Sequence, residues 1–462
     1  MSNNKSHISE KAHRYEEMTR KHGDPWIWGI YIMLIVISLV ETYSAASREV
    51  VKMGVYMPIL KHILFLMIGG GLLLATYRIP YTNKKYLIFY TVGLTAISIL
   101  LLIYVLFFGE NYNNAQRSFR VVGISVQPFE IAKLAVVLCL SLVLSRTQKG
   151  NGVSNNGVIV CVLLIAVYGL LTYVNGMTNF LLLTSISLVM MVVGGITFKR
   201  IAILLVAFGL VGGAIYMIKS SNDDKDENLQ KSRSQTEQVM QEGENGDLVA
   251  EQASKKGKKK VDRSNVRKKR IENWLNNDSL WTRPIIPNEN DQEMFAYMAQ
   301  AHGGVTGVFF GNSRETSRLP LASSDYVFSI IVEDTGLIGG VIVLTLFLAL
   351  LLRAAMIARR CRRTLPTLMV IGLASMITLQ ALFHIAINTG VFPVSGQPLP
   401  LISKGGSAIV VTSYAFALLL SISRTVAGLT DKENATKEEM ALPEELRAEN
   451  PSQLINYKNV WK

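Results

Sequence analysis

Ten long apolar segments decide what this chain is able to fold into. They run at about 25–46, 59–77, 86–108, 127–145, 157–174, 178–196, 201–218, 325–352, 367–392 and 407–423, and each is long enough to cross the hydrocarbon core of a bilayer as an α-helix. Lipid offers no partner to a backbone N–H or C=O, and a helix supplies those partners within itself. The chain is therefore expected to be an all-α polytopic membrane protein, with ten transmembrane helices and a large extracytoplasmic loop between helices 7 and 8. Composition agrees, since 50% of the residues are hydrophobic and only 18% are charged.

Loop charge sets the orientation. Lys5, Lys11, Arg14, Arg20 and Lys21 precede the first segment, and Arg78, Lys84 and Lys85 follow the second. Arg146 and Lys149, Lys199 and Arg200, and Arg359, Arg360, Arg362 and Arg363 fall on the same side. Cationic short loops mark the cytoplasm, so both termini are expected inside. The polar residues before the first segment lack a short apolar core followed by a small-residue cleavage site, which reads as a retained anchor in a multi-pass protein of the cytoplasmic membrane. The net charge of +13 lies on loop ends and one insert. Topology and anionic lipid headgroups account for it without nucleic acid. Cys139, Cys161 and Cys361 have no CxxC spacing and read as packing residues.

The expected organisation is a cytoplasmic tail over 1–24, helices 1–7 over 25–218, the outer loop over 219–324, helices 8–10 over 325–423 and a cytoplasmic tail over 424–462. The first part of the loop, about 219–269, is polar and low in complexity, with the basic runs KKGKKK and RKKR. It cannot bury a core and reads as a solvated tether near lipid headgroups. RIENWL and QEMFAYMAQAHGG, further on, carry apolar residues at helical spacing and read as short amphipathic helices.

Charge at membrane depth is costly and for that reason points to function. Asp325 ends a stretch rich in Gly and small polar residues and stands at the mouth of helix 8, with a plain helix cap as the alternative reading. Gln127-Pro128 is expected to start helix 4, since Pro suits a first helical turn. Three residues apart on that helix, Glu130 and Lys133 share a face, either as a structural ion pair or as opposite charges offered to a cleft. Arg117 and Arg120 read either as phosphate ligands or as solvated loop arginines. Glu333 and Asp334 form a second polar layer or a structural network, and His384 and Asn388 read as an interhelical hydrogen bond. From Phe392, FPVSGQPLPLISKGGSA breaks helical periodicity beside apolar helices, so it is expected to line an outer cavity shared with Asp325.

Three blocks, AQRSF…GISVQPFEIAKLA, GGVTGVFFGNS…LPLASSDYVFSIIVEDTGLIGG and GVFPVSGQPLPLISKGGS, resemble in order and topology the signature segments of the SEDS family of shape, elongation, division and sporulation proteins. GNS at 311–313 is closer to the division branch. The resemblance implies an inverting peptidoglycan glycosyltransferase that polymerises lipid II at the outer face of the cytoplasmic membrane, at the division septum. It also implies a class B penicillin-binding protein (a transpeptidase) as partner, with other divisome membrane proteins and membrane lipids around it. Carried over by motif, Asp325 is the catalytic base, and Arg117, Gln127, Glu130, Lys133, Ser403, Gly405, Gly406 and Ser407 contact substrate. A divalent cation, Mg2+ or Mn2+, fits a pyrophosphate substrate, its ligands are open, and no organic cofactor is expected. The chain departs from the family at Ser323 and Ser324, where His-Thr is usual, at Asn175 and at Lys404. Two rival readings are a flippase for lipid II, with Glu333, Asp334 and His384 as relay groups, and a non-catalytic scaffold.

Overall fold

The computed structural model describes residues 18–19, 21–45, 56–79, 84–112, 115–121, 124–149, 152–204, 274, 291–319, 322–393 and 395–428. The chain divides into two compact units, 1–195 with 268–462, and 196–267. Of the second unit the described residues are 196–204, helical over 198–204. The rest of the seventh expected helix and the low-complexity insert lie outside the described residues.

The first unit is built of helices α1 (Pro25–Ala45), α2 (Tyr56–Thr76), α3 (Lys84–Phe108), α4 (Pro128–Arg146), α5 (Asn155–Asn175), α6 (Met177–Val193), α7 (Asp291–Gly303), α8 (Val327–Arg360), α9 (Thr364–Asn388) and α10 (Gly406–Gly428). Apart from α7, each coincides with an expected membrane helix. Eight are long and apolar enough to cross a membrane, and α6 is a shorter apolar helix of 17 residues. α4 is central: 83% of its apolar window is buried, against 22% for that of α2. α4 packs on α3, α6 and α9, α8 packs on α9, and α2 packs on α10.

The unit is knotted at one end by Asp24. Its carboxylate accepts from Trp26 N at 2.9 Å, capping α1, and from Arg353 Nη2 of α8 at 2.7 Å, while its own N–H donates to Ser423 Oγ of α10 at 3.0 Å. Three helices are thereby tied at the end where the loop cations cluster.

The opposite end carries non-helical structure. After α3 comes an antiparallel meander, β1 (Glu110–Tyr112), β2 (Ala115–Val121) and β3 (Ile124–Val126), with Phe119 opposite Val126. The sequence reading had only a loop there. α7, formed by the expected QEMFAYMAQAHGG segment, lies against the start of α8. Ala296, Ala299, Leu319, Ala322, Tyr326 and Ile330 make a small buried core there with Ala45 at the end of α1.

α8 is not one continuous helix. At Gly336 the backbone takes φ 72° and ψ −172°, and the loop after α7 fills the break. Val308 N and Phe309 N donate to the carbonyls of Glu333 and Asp334, both at 2.9 Å, and Leu337 N donates to Gly304 O at 2.9 Å. The carbonyls of Glu333 and Asp334 and the N–H of Leu337, freed by the break, thus find partners in the protein.

Candidate functional site

Asp325 sits in the turn that leads into α8 and is half-buried. The three carbonyls of this turn are each held from elsewhere. Ser323 O accepts from Lys404 N at 2.8 Å, Ser324 O from Ser403 Oγ at 2.6 Å, and Asp325 O from Asn388 Nδ2 at 3.1 Å. The first two donors come from the loop after α9 and the third from the last turn of α9. The irregular segment that broke helical periodicity in the sequence therefore serves to grip the turn carrying the carboxylate.

That loop is itself braced. Ser403 Oγ accepts from Leu399 N at 2.7 Å, and Ser403 N donates to Leu399 O at 3.0 Å. Ser38 Oγ of α1 reaches Leu401 O at 2.8 Å. Gly405 O accepts from Ile409 N at 3.0 Å in the first turn of α10. Gly406 lies where a Cβ would fall 2.5 Å from the Phe65 ring of α2, so α10 approaches α2 through a bare backbone. Ser407 Oγ accepts from Gln127 N at 3.1 Å, joining the start of α10 to the start of α4.

α4 begins at Pro128 with Gln127 as its extended N-cap residue, as the Gln-Pro step predicted. Glu130 and Lys133 are both 1% exposed. Lys133 Nζ is 2.9 Å from each Glu130 carboxylate oxygen, and it also donates to Gln380 Oε1 of α9. A charge this deep needs a partner with good geometry, and the ammonium is here fully engaged by two. Gln380 Nε2 donates onward to Pro398 O at 2.9 Å.

α9 thus carries a polar ladder. Gln380, His384 and Asn388 recur every fourth residue and so share one face of the helix. Gln380 holds the Glu130–Lys133 pair and Pro398, His384 Nδ1 pairs with Gln397 O at 2.6 Å, and Asn388 holds Asp325. Gln397 Nε2 donates to Asn179 Oδ1 near the start of α6. The ladder thus holds Glu130, Lys133 and the Asp325 peptide from one helix face, while Ser403 holds the same turn from the loop and Gln127 and Ser407 pair with each other. His384 and Asn388 do bond to one another, Asn388 Nδ2 donating to His384 O at 2.9 Å with His384 Nε2 3.3 Å away, but each also reaches beyond α9. Arg117 lies on β2 and its side chain falls outside the described residues. Gln380, Gln397, Ser329, Gln300 and Asn179 were not singled out from sequence. A signal for the first was present in the four-residue spacing of polar residues along an otherwise apolar helix.

The acids further along α8 have separate duties. Glu333, 0% exposed, accepts from Ser313 Oγ, from Arg314 N at 2.9 Å and from Glu315 N at 3.3 Å. It folds the loop after α7 onto α8 and is fully occupied in doing so. Asp334 faces Ser44 and Glu41 of α1. Cys139, Cys161 and Cys361 are free thiols, the latter two buried.

A family model described as cell cycle protein, of the FtsW/RodA/SpoVE type, matches residues 25–238 and 260–427. The probable peptidoglycan glycosyltransferase FtsW of Bacillus subtilis (strain 168) is 26% identical over 439 residues, covering 94% of this chain and 97% of that protein. Stage V sporulation protein E of the same organism is 35% identical over 157 residues, 34% of this chain and 42% of that one. Among solved structures, a chain of a peptidoglycan synthase complex described as coordinating polymerization and crosslinking superposes with a TM-score of 0.61 at 20% identity, over 86% of this chain and 98% of its own length. The rod shape determining protein RodA of Thermus thermophilus gives a TM-score of 0.54 at 20% identity, over 86% and 95%.

Proposed function

The chain belongs to the FtsW/RodA/SpoVE family of cell cycle proteins, and from that premise we propose that it is a peptidoglycan glycosyltransferase that polymerises lipid II at the outer face of the cytoplasmic membrane during cell division. The observation that carries the reading is the grip on the Asp325 turn, whose carbonyls at residues 323, 324 and 325 are held by Lys404, Ser403 and Asn388 while Asp325 itself is half-buried. A group fixed in this way is suited to chemistry that needs a positioned base.

In the reaction the 4-hydroxyl of an acceptor sugar attacks the anomeric carbon of a donor. The new C–O bond forms as the bond to undecaprenyl pyrophosphate breaks, the anomeric centre inverts, and the hydroxyl proton passes to Asp325. Such general-base catalysis is typically worth about 10²- to 10⁴-fold. The departing pyrophosphate needs positive charge. Arg117 and Lys133 supply it in this reading, Lys133 as a buried cation held in place by Glu130 and Gln380. Ser403, Gly405, Gly406, Ser407 and Gln127 shape the wall on which the substrate rests.

Among the described residues no group of three or more His, Cys, Asp or Glu side chains is placed to hold a metal ion. A divalent ion enters the proposal only as a counter-ion of the substrate pyrophosphate, where Mg2+ keeps most of its waters. No step is assigned to it. A class B penicillin-binding protein that cross-links the strands is the proposed partner, and the division septum the proposed location.

Purified protein with labelled lipid II and the partner tests the reading. Asp325→Asn is expected to abolish glycan strands while leaving the protein folded. Strands of near-normal length from that variant sink the assignment, and transfer of fluorescent lipid II between leaflets by the wild type, without lengthening, identifies a flippase instead.

A further inference from the structure

The α8 helix lacks a cap of its own. Its N-cap residue, Tyr326, makes no side-chain capping hydrogen bond, although the first N–H groups of a helix need acceptors. Ser329 N, in the first turn, donates to Tyr326 O at 3.0 Å and also to a second acceptor that comes from another helix. Asn388 Oδ1 of α9 takes Ser329 N at 3.3 Å and Ser329 Oγ at 2.9 Å, while Asn388 Nδ2 donates to Asp325 O at 3.1 Å. The second Nδ2 hydrogen goes to His384 O at 2.9 Å. Two donors and two acceptor sites are all an amide possesses, and every one is used. Asn388 is 0% exposed.

The chain of donors has a direction. Gln300 of α7 donates through Nε2 to Ser329 Oγ at 3.0 Å and to Asn388 O at 2.6 Å. Ser329 gives its hydroxyl hydrogen to Asn388, and Asn388 gives an amide hydrogen to the Asp325 carbonyl. One line of hydrogen bonds therefore runs from a helix outside the membrane bundle to the peptide that carries the carboxylate.

We propose that Asn388 is a positioning residue for Asp325, a cap in trans that fixes the entry of α8 and the orientation of the Asp325 peptide, with Gln300 holding it from α7. The proposal rests on Asp325 being the base. The other two ties on the turn come from a single loop, whereas Asn388 references the Asp325 peptide to α9, the helix that also holds the Glu130–Lys133 pair through Gln380. A misplacement of about 1 Å at a reacting group costs on the order of 10²-fold in rate.

The test is a double-mutant cycle with full-length protein, lipid II and the partner. Asn388→Ala is expected to lower kcat about 10²-fold with KM for lipid II within about twofold, a split that follows when transition-state geometry and not substrate binding is lost. Gln300→Leu, made on a half-buried helix outside the bundle, is expected to lower kcat about 2- to 10-fold, the worth of one hydrogen bond. The double variant is expected to be no slower than Asn388→Ala, because the two act along one line. Wild-type kcat in either single variant, a parallel loss of lipid II binding and kcat, or strictly multiplicative losses overturns the proposal. Gln300→Leu decides alone where Asn388→Ala does not fold. Asp325→Asn in the same assay separates the two readings: an active Asp325→Asn defeats the base assignment, whereas an inactive one beside a fully active Asn388→Ala defeats only this inference.

Discussion

Gly307 and Gly336 share a space that admits no side chain from either. A Cβ on Gly336 would stand 2.2 Å from Val305 O and 2.6 Å from Gly307 N, and a Cβ on Gly307 would stand 2.2 Å from Asp334 O. The backbone at Gly336 also lies in a region of φ/ψ open essentially to Gly alone. Gly336→Ala is therefore expected to cost about 3 kcal/mol or more, from strain and a clash with backbone that cannot yield. Gly311 has φ 84° but open space around its Cβ position, so Gly311→Ala should cost only about 1–2 kcal/mol. Thermal unfolding in detergent compares the two, and equal losses would show that the loop is not seated in the break of α8.

The buried Glu130–Lys133 pair gives a second prediction. Removing one partner leaves the other as an unpaired buried charge, typically worth 3–5 kcal/mol, so Lys133→Ala and Glu130→Ala should each unfold at lower temperature. The exchange Glu130→Lys with Lys133→Glu restores a pair, and Gln380 can turn its amide to serve either charge. Stability is expected to return in the exchanged protein while polymerisation does not, because the cation has moved. Full activity in the exchange would mean that the pair is structural only.

Chelation is the third. Since the described residues hold no three-ligand cluster, EDTA should leave the unfolding temperature of substrate-free protein unchanged. It should lower turnover, and Mg2+ or Mn2+ should restore it. A fall in unfolding temperature on chelation would reveal a metal site within the protein.

Orientation is the fourth. Arg318 lies exposed near Asp325 in the chain, and Arg360 lies exposed at the far end of α8. A membrane-impermeant maleimide added to intact cells should label Arg318→Cys and spare Arg360→Cys, with Cys139→Ser as background. The reverse pattern would put the site on the cytoplasmic side and end the polymerase reading.

Much of this fold was legible because lipid makes simple demands. Long apolar runs must be helices, and Gln127-Pro128 had to begin one. The position of Asp325 at the entry to α8 was readable from a lone carboxylate before an apolar run. What escaped notice depended on partners distant in sequence. The expected helix 8 ended near 352 because Arg353 interrupts the apolar count, yet α8 runs on to Arg360 with Arg353 neutralised by Asp24, 329 residues earlier. The break at Gly336 left no local trace, since glycines also occur at 339 and 340 within regular helix. In the β1–β3 meander β1 and β3 have three residues each, too short for alternation to declare itself, and the seven of β2, AQRSFRV, are mostly polar. Gln380 went unread because an isolated amide in an apolar helix shows its purpose only when α4 is beside it.

The ladder on α9 makes the length of that helix a quantity in its own right. A turn takes 3.6 residues, so one residue added or removed between Gln380 and Asn388 rotates everything beyond it by about 100°. Gln380 would keep its hold on Lys133 while Asn388 swung away from Asp325. The count of residues between these two amides acts as a ruler setting how far the Asp325 peptide stands from the buried cation.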